Sequence, residues 1–235
     1  MEASSLRTEL TVIEPAHHEN DTSDAFEALI VDFGGVLTNP LQESLDAFAA
    51  SVGIELQDLV RVMLPIYTGQ EDAMVAGFET GRVDEEEFDR ELAQRLEKTT
   101  GKHIEALGLV SRIFAGTHLE RSMLDLLVVA RRGGMKTALL SNSWGMSGYP
   151  RELFSDLFDV AVISGDVGLR KPDPGIFGLT LDRLGVPAAR CIFVDDHPGH
   201  LEPAKAAGMT AILHLSPEQT IARVTELTGI SIDES

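Results

Sequence analysis

The sequence has almost no cysteine, few basic residues and no long apolar run, and each shortage excludes a class of protein. Cys191 is the only cysteine among 235 residues, so a disulfide framework within the chain is excluded and a reducing, cytoplasmic compartment is expected. No stretch approaches the roughly 18 consecutive apolar residues of a membrane span. The N-terminus lacks a basic start followed by an apolar run, so we expect no secretory signal.

Basic residues are outnumbered two to one, with 19 Lys and Arg against 38 Asp and Glu, for a net charge of −19. Nucleic-acid affinity comes largely from Lys and Arg that neutralise phosphates, so a polyanion partner is excluded, and anionic lipid is repelled. A small phosphorylated substrate remains compatible with this charge if the site is locally positive or carries a metal. Seven acids against Arg7 fall within the first 27 residues, and we expect residues 1–24 to form a disordered acidic tail.

Five short apolar runs predict the strands of a parallel sheet. They are Ala28–Val31, Thr137–Leu140, Val160–Ile163, Cys191–Val194 and Thr210–Leu213. The runs are continuous rather than alternating, which is typical of strands covered by helices on both faces. Helical patterns separate the last four runs. The sequence therefore predicts an α/β fold with a Rossmann-like parallel sheet.

The interval between the first two runs is too long for a simple crossover. From Asp32 to Thr137 is 105 residues, whereas a crossover needs about a dozen. Helical apolar spacing recurs inside it, at Leu41, Leu45, Phe48, Ala49 and Val52 and again at Phe88, Leu92 and Leu96. We therefore expect an α/β core of residues 25–40 and 118–235, with residues 41–117 inserted as a helical cap.

Polar residues stand where four of the five runs end: Asp32, Ser141 with Asn142, Ser164, and Asp195 with Asp196. In an open α/β sheet, ligands bind at the carboxyl ends of the strands, so we expect a site at this edge. Asp32 is a candidate nucleophile or metal ligand. Asp195 and Asp196 could complete a Mg²⁺ site, because this ion prefers oxygen ligands.

Residues near these carboxylates offer backbone groups and a cation. Gly34 and Gly35 allow the chain to turn sharply and to approach a ligand closely. Ser141 contributes a hydroxyl, and the N–H groups that follow it could bind a phosphate oxygen. Lys171 precedes a predicted helix start at Asp173–Pro174, from which it could place a cation over the same edge.

Four motifs, in order, resemble those of the haloacid dehalogenase (HAD) superfamily. They are Asp32-Phe33-Gly34-Gly35-Val36-Leu37-Thr38, Leu140-Ser141-Asn142, Arg170-Lys171-Pro172-Asp173-Pro174 and Phe193-Val194-Asp195-Asp196. The resemblance covers about residues 25–230. The segment Leu201–Met209 is most similar to the subgroup that contains the N-terminal phosphatase domain of soluble epoxide hydrolases. The resemblance implies the HAD fold, with a helical cap between the first and second motifs.

The resemblance also implies a Mg²⁺-dependent phosphatase that acts on a small phosphorylated metabolite. Asp32 would attack phosphorus to form an aspartyl-phosphate, with Lys171 and Ser141 as the other catalytic residues. The implied metal ligands are Asp32, Gly34 through its carbonyl, Asp195 and Asp196. The implied substrate and phosphate contacts are Ser141, Asn142, Lys171, Phe33, Gly34 and Gly35.

One position departs from the phosphatase pattern, which has a second Asp two residues after the nucleophile as general acid and base. Here that residue is Gly34, and such a group is typically worth roughly 100- to 10,000-fold in rate. His200, His197 and His118 are the candidates for a substitute.

Three functions therefore stay open. The first is a phosphatase that acts on good leaving groups or uses another acid. The second is a metal-independent, dehalogenase-like hydrolase, because those relatives also lack the second Asp. The third is a phospholigand-binding or regulatory member that has lost turnover. A monomer and a homodimer are both compatible with the sequence.

Overall fold

The computed structural model describes residues 25–68, 72–145 and 148–231. Five parallel strands form one sheet in the order β3-β2-β1-β4-β5. They are β1 (Ala28–Val31), β2 (Lys136–Ser141), β3 (Val160–Ile163), β4 (Cys191–Asp195) and β5 (Thr210–Leu213). The predicted α/β parallel sheet is confirmed. Two strands run one residue further than their apolar runs, so Ser141 and Asp195 are the last residues of β2 and β4.

Within the described residues, six α-helices lie between β1 and β2 and five follow β2. The first six are α1 (Leu41–Val52), α2 (Leu56–Thr68), α3 (Ala73–Glu79), α4 (Glu85–Thr100), α5 (Leu109–Ile113) and α6 (Arg121–Arg132). The others are α7 (Phe154–Leu157), α8 (Ser164–Val167), α9 (Pro174–Leu184), α10 (Pro198–Ala206) and α11 (Pro217–Thr228). Among these described helices, none has both the length and the apolarity to cross a membrane.

Strand β1 shows why the apolar runs are continuous. Leu29 and Val31 point into one apolar cluster, with Met123 of α6. Ile30 points into a second cluster on the opposite face of the sheet, with Phe177 of α9. All five side chains are fully buried. Each such side chain contributes roughly 1.5–3 kcal/mol on burial, which favours apolar residues at every position of the strand.

Helices α1–α5 enclose an apolar cluster of their own, separate from the two that flank the sheet. Phe78 of α3 stacks on Phe88 of α4 with ring centroids 4.1 Å apart. Asp84 caps α4 by accepting the N–H of Glu87 at 2.8 Å, as a helix N-cap does. The assignment of residues 41–117 as a cap stays a prediction, and the tail predicted for residues 1–24 lies outside the described residues.

The chain enters and leaves this helical group through two paired segments. Asn39 N–H donates to the His118 carbonyl at 3.0 Å, and His118 N–H donates to Asn39 Oδ1 at 2.8 Å. Thr38 and Leu119 form an isolated antiparallel bridge beside them. The two chain segments that flank helices α1–α5 are therefore neighbours in space.

A second contact joins α3 to the edge of the sheet where β3 ends. A Cβ added to Gly81 would lie 2.6 Å from the Gly165 carbonyl oxygen, so only glycine allows this approach. The Ser164 hydroxyl donates to the Glu79 carbonyl, and the Glu79 carboxylate forms an ion pair with Arg170. The helical group is thus held against the sheet directly beside the predicted site.

Candidate active site

The sheet order brings the predicted site residues together, because β1 lies between β2 and β4. Val31 is paired with Leu139 on one side and with Val194 on the other. Asp32 N–H continues this pairing by donating to the Val194 carbonyl at 2.9 Å. Asp32 therefore stands between the ends of β2 and β4, as expected for a ligand site in an open α/β sheet.

The Lys171 ammonium lies between two carboxylates. Its Nζ is 2.9 Å from Asp32 Oδ1 and 2.6 Å from Asp195 Oδ2, and the side chain is fully buried. Burial alone would lower the pKa of Lys171, but the two carboxylates raise it above its usual value. The lysine is therefore a permanent cation at this edge of the sheet.

Asn142 holds the backbone of Lys171 in place. Its Nδ2 donates to the Lys171 carbonyl at 2.9 Å, and its Oδ1 accepts the Lys171 N–H at 2.8 Å. Asn142 directly follows β2, so this pair of bonds connects the second and third motifs. The sequence predicted both residues at the site but not this bond between them.

Asp32 has one oxygen fixed by two donors. Its Oδ1 accepts the Phe33 N–H at 2.7 Å in addition to Lys171. Burial raises the pKa of Asp32 to about 6, although Lys171 opposes the shift. Asp32 is still mostly ionised at neutral pH, and its Oδ1 is oriented by the two donors.

Asp195 is surrounded by donors. Burial would raise its pKa, but Lys171 and His200 lower it to about 2. Its Oδ1 accepts the His197 N–H at 2.8 Å, and His200 Nδ1 lies 3.0 Å from both of its oxygens. Because an ionised carboxylate only accepts, His200 Nδ1 must carry the hydrogen.

His200 therefore faces Asp195 rather than solvent. Its side chain is only 14% exposed. Burial and the nearby Lys171 lower the pKa of His200 to about 4, so the imidazole is neutral near pH 7. His118 does not line the cavity that His200 lines; it lines a different one, together with Phe33 and Leu119.

The Asp196 carboxylate lies so close to Gly35 that no larger residue fits at position 35. Gly35 has φ +71°, and a Cβ there would lie 2.4 Å from Asp196 Oδ2. Burial, and then the charges of Asp32 and Asp195, raise the pKa of Asp196 to about 7. Asp32 and Asp196 thus place two mutually repelling carboxylates at the edge of the site.

The Ser141 hydroxyl is already engaged. It donates to the Asn142 carbonyl at 3.2 Å and lies 2.9 Å from the Tyr149 hydroxyl. The Tyr149 ring packs against Phe33, with centroids 4.8 Å apart. Sequence reasoning did not find the contact between Tyr149 and Ser141, which no local pattern signals.

A cavity of about 460 Å³ opens in front of these groups. Its lining consists of Asp32, Gly34, Leu41, Glu79, Asn142, Trp144, Arg170, Lys171, Pro172, Asp196, His197, Gly199 and His200. Five of the nine predicted site residues line it, and the other four do not: Ser141, Phe33, Gly35 and Asp195. Glu79 was missed by sequence reasoning, since an acidic residue at a helix end carries no signal of its own.

Two groups of residues could hold a metal ion, and they differ in charge. Asp32, Asp195 and His200 have ligand atoms within 4.8 Å of one another, but the Lys171 ammonium already binds both carboxylates of this group. Asp32 and Asp196 line the cavity with raised pKa values, as expected where a cation is needed. These carboxylates and the Gly34 carbonyl are oxygen donors, which suits Mg²⁺.

Comparison with known proteins identifies the class of this site. The profile of haloacid dehalogenase-like hydrolases matches residues 26–208, so the chain belongs to this hydrolase family. The resemblance carried by the four motifs is thereby confirmed. A curated phosphatase of Mycobacterium tuberculosis is 30% identical over 197 residues, covering 80% of this chain and 87% of the relative.

Bifunctional epoxide hydrolase 2 of Sus scrofa is 28% identical over 178 residues. The match covers 70% of this chain and 32% of the relative. The same enzyme of Mus musculus is 27% identical over 134 residues, which are 54% of this chain and 24% of the relative. The chain thus spans about a quarter to a third of the length of these relatives.

Solved structures share the fold at low identity. A HAD-like hydrolase from Porphyromonas gingivalis has a TM-score of 0.63 and 22% identity, covering 86% of this chain and 97% of that one. A HAD family enzyme from Bacteroides thetaiotaomicron, solved with magnesium and inorganic phosphate, has a TM-score of 0.55 and 19% identity. That match covers 80% of this chain and 94% of the other.

Proposed function

We propose that this protein is a Mg²⁺-dependent phosphatase that hydrolyses small phosphorylated metabolites through Asp32. The observation that carries the proposal is the fixed carboxylate of Asp32 on the wall of the 460 Å³ cavity. Lys171 and the Phe33 N–H both bind Oδ1, so Oδ2 is the oxygen left to attack. A nucleophile held in one orientation loses little entropy on reaching the transition state.

The first step forms a bond between Asp32 Oδ2 and phosphorus, and the leaving group departs with the electrons of the bond that breaks. Lys171 stabilises negative charge beside the attacked phosphorus, as a preorganised cation does. Water then attacks the aspartyl-phosphate and releases phosphate. Asp32, Asp196 and the Gly34 carbonyl would hold Mg²⁺, which offsets the repulsion between carboxylate and phosphate.

Asp195 and Asn142 have supporting roles in this proposal. Asp195 holds the ammonium of Lys171 and the ring of His200, while Asn142 fixes the backbone that carries Lys171. Asn142 also lines the cavity, where its side-chain amide lies near the position of a phosphate. Ser141 and the backbone of Phe33, Gly34 and Gly35 complete the proposed phosphate contacts.

Helices α1–α5 act in this proposal as a cap that selects the substrate. Leu41 of α1 and Glu79 of α3 both line the cavity. The ion pair of Glu79 with Arg170 connects this cap to the loop that carries Lys171. A metabolite bound at Asp32 therefore contacts both parts of the chain.

Two similar proteins support the proposal. The relative from Mycobacterium tuberculosis is a phosphatase, and the Bacteroides thetaiotaomicron enzyme was solved with magnesium and inorganic phosphate. Its test is a panel of phosphorylated metabolites assayed for phosphate release, with Mg²⁺ and with EDTA. We expect turnover that requires Mg²⁺ and is abolished by Asp32→Asn, while Asp182→Asn, on the exposed surface of α9, retains it.

A dehalogenase-like hydrolase is the second candidate, favoured by the glycine at position 34. Its nucleophile would form an ester with carbon and would need no metal. Halide release from a 2-haloacid in EDTA, lost in Asp32→Asn, would replace the phosphatase proposal. If neither phosphate nor halide is released and phosphate ligands still bind, the chain is a binding member of the family.

A further inference from the structure

A second, smaller cavity of about 70 Å³ lies beside Gly34. Gly34, Leu41 and Trp144 line both this cavity and the 460 Å³ cavity, so the two adjoin at the residue that replaces the second Asp. We call the smaller one the aromatic chamber. It begins where the leaving group of a phosphate on Asp32 would stand, because the missing Asp would protonate that group.

Four of the ten described residues that line the aromatic chamber are aromatic, and they form two packed pairs. Phe33 and Tyr149 pack together with centroids 4.8 Å apart, and Phe114 and Trp144 pack with centroids 5.3 Å apart. Paired rings of this kind present edges and faces that favour another aromatic ring. The chamber therefore offers contacts to an aromatic group and little to a sugar or a charged one.

None of the described lining residues of the aromatic chamber offers a proton to a leaving group. They include no carboxyl, imidazole or amine: Phe33, Gly34, Thr38, Leu41, Phe114, Thr117, Trp144, Gly145, Gly148 and Tyr149. The Thr38 and Thr117 hydroxyls donate to the carbonyls of Asn39 and Phe114 at 3.1 and 2.7 Å. The Tyr149 hydroxyl lies against Ser141 and the Asn142 carbonyl.

The carboxyl and imidazole groups near the site lie outside the aromatic chamber, because Asp32, Glu79, Asp196, His197 and His200 line the larger cavity and not the aromatic chamber. The Glu79 carboxylate is bound to Arg170, and His200 directs its Nδ1 hydrogen to Asp195. A leaving group in the aromatic chamber must therefore depart as an anion. A leaving group can depart without a proton when its anion is stabilised by resonance. Among such anions, the rings of the aromatic chamber favour those that are aromatic.

We propose that the substrates of this protein are aryl phosphates, whose ring edge enters the aromatic chamber and whose aryloxide leaves without protonation. The inference rests on the proposed phosphatase function. The volume of 70 Å³ is about half of the roughly 150 Å³ in which a whole benzene molecule binds. Only the edge of the ring enters, and its substituents remain in the larger cavity.

The reaction balances without an acid from the protein. Asp32 Oδ2 forms a bond to phosphorus while the bond from phosphorus to the aryl oxygen breaks, and the aryloxide keeps both electrons of that bond. Water later attacks the phosphorus of the aspartyl-phosphate, which returns Asp32 as a carboxylate. One proton of that water passes to solvent, and the aryloxide takes a proton from solvent according to its own pKa.

The first experiment measures kcat/KM for phenyl, 4-nitrophenyl and 2,4-dinitrophenyl phosphate. We expect kcat/KM to rise steeply as the phenol becomes more acidic, because no acid assists its departure. The Gly34→Asp variant should increase kcat/KM for phenyl phosphate by roughly tenfold or more and leave the dinitrophenyl ester little changed, since a general acid is worth roughly 100- to 10,000-fold when well placed. Gly34→Asn is the matched control without a proton and should give no gain.

The backbone accepts this substitution. Gly34 does not have a positive φ, and a Cβ there would lie 3.7 Å from Leu41 Cδ1, an ordinary contact. Equal kcat/KM for the three esters in the unaltered protein would overturn the proposal, because it would show that an acid is present. Turnover of none of them, together with no Asp32-dependent phosphate release from any metabolite, would refute the phosphatase function itself.

The second experiment compares 2,4-dinitrophenyl phosphate with acetyl phosphate, whose leaving group is also a stabilised anion but is small and not aromatic. We expect the aryl ester to be preferred, and Phe114→Leu to reduce this preference roughly two- to tenfold, as expected for an aromatic contact. Phe88→Leu makes the same change in the core of α4, away from the chamber, and should lower only stability. A preference for acetyl phosphate that Phe114→Leu leaves unchanged would overturn the assignment of aryl substrates.

Discussion

Arg170→Met should strongly destabilise the protein, because it would leave the buried Glu79 carboxylate without its partner. Glu79 is 2% exposed, while the Arg170 side chain is 21% exposed. Removing one partner of a buried pair costs about 3–5 kcal/mol, because the other charge remains uncompensated. Water reaches the arginine side of this pair, so we expect the lower end, about 3 kcal/mol.

The assay is thermal unfolding, together with urea titration. In a protein of this size about 1 kcal/mol corresponds to about 2–4 °C, so Arg170→Met should lower Tm by about 6–12 °C. The double variant Glu79→Gln/Arg170→Met leaves no unpaired charge at this position and should recover most of the loss. Arg151→Met is the control, because its pair with Asp166 is at the surface and is worth about 0–1 kcal/mol.

The stability lost in Arg170→Met should also depend on pH, and the ionisation of Glu79 sets the direction of that dependence. Burial raises the pKa of Glu79, and Arg170 opposes that rise, so the pKa rises further in Arg170→Met. The folded variant then binds the proton more tightly than the unfolded chain, and its penalty disappears as the pH falls through the folded pKa. The Tm difference from the unaltered protein should therefore narrow from about pH 8 to about pH 5. A difference that is absent, or that widens on acidification, would refute the reasoning.

Three further predictions concern single side chains. Gly35→Ala should lower stability by more than about 1 kcal/mol and weaken the dependence of activity on Mg²⁺, because the added Cβ would lie 2.4 Å from Asp196 Oδ2. An unchanged Tm and an unchanged Mg²⁺ titration would contradict this. Asp72→Ala should lower the free energy of unfolding by about 1 kcal/mol at neutral pH, since Asp72 caps α3. The pKa of Asp72 is lowered, first by Arg95, so its stabilising effect is present above the unfolded pKa and is lost in acid. The difference in Tm between the variant and the unaltered protein should therefore shrink at low pH. Cys191 is buried with its pKa raised to about 11 by burial, and a thiol reagent should label it only after unfolding.

The strands were predictable because their cause is local. A strand covered on both faces needs apolar residues at each position, and all five runs, Ala28–Val31 among them, lie within observed strands. The ends were predicted less well, since Ser141 and Asp195 are polar but still belong to β2 and β4. Their backbones continue the ladder even though their side chains serve the site.

The partners of the site residues were not predictable from the sequence. Lys171 was expected to place a cation over this edge of the sheet, but its short contact with Asp195 was not expected. Glu79 and Arg170 are 91 positions apart, and no periodicity links a helix end in the insertion to a loop in the core. Such contacts depend on how two parts of the chain pack, which local patterns do not contain.

The pairing of Asn39 with His118 means that residues 40–117 begin and end at one point in space. Insertions with adjacent ends disturb a host domain least, so this segment should be replaceable as one unit while the sheet stays intact. A short turn joining Asn39 to His118 could replace residues 40–117, and the corresponding helical segment of a relative could be inserted at the same junction. Under the proposed function, substrate choice by this segment and the chemistry at Asp32 would therefore evolve separately.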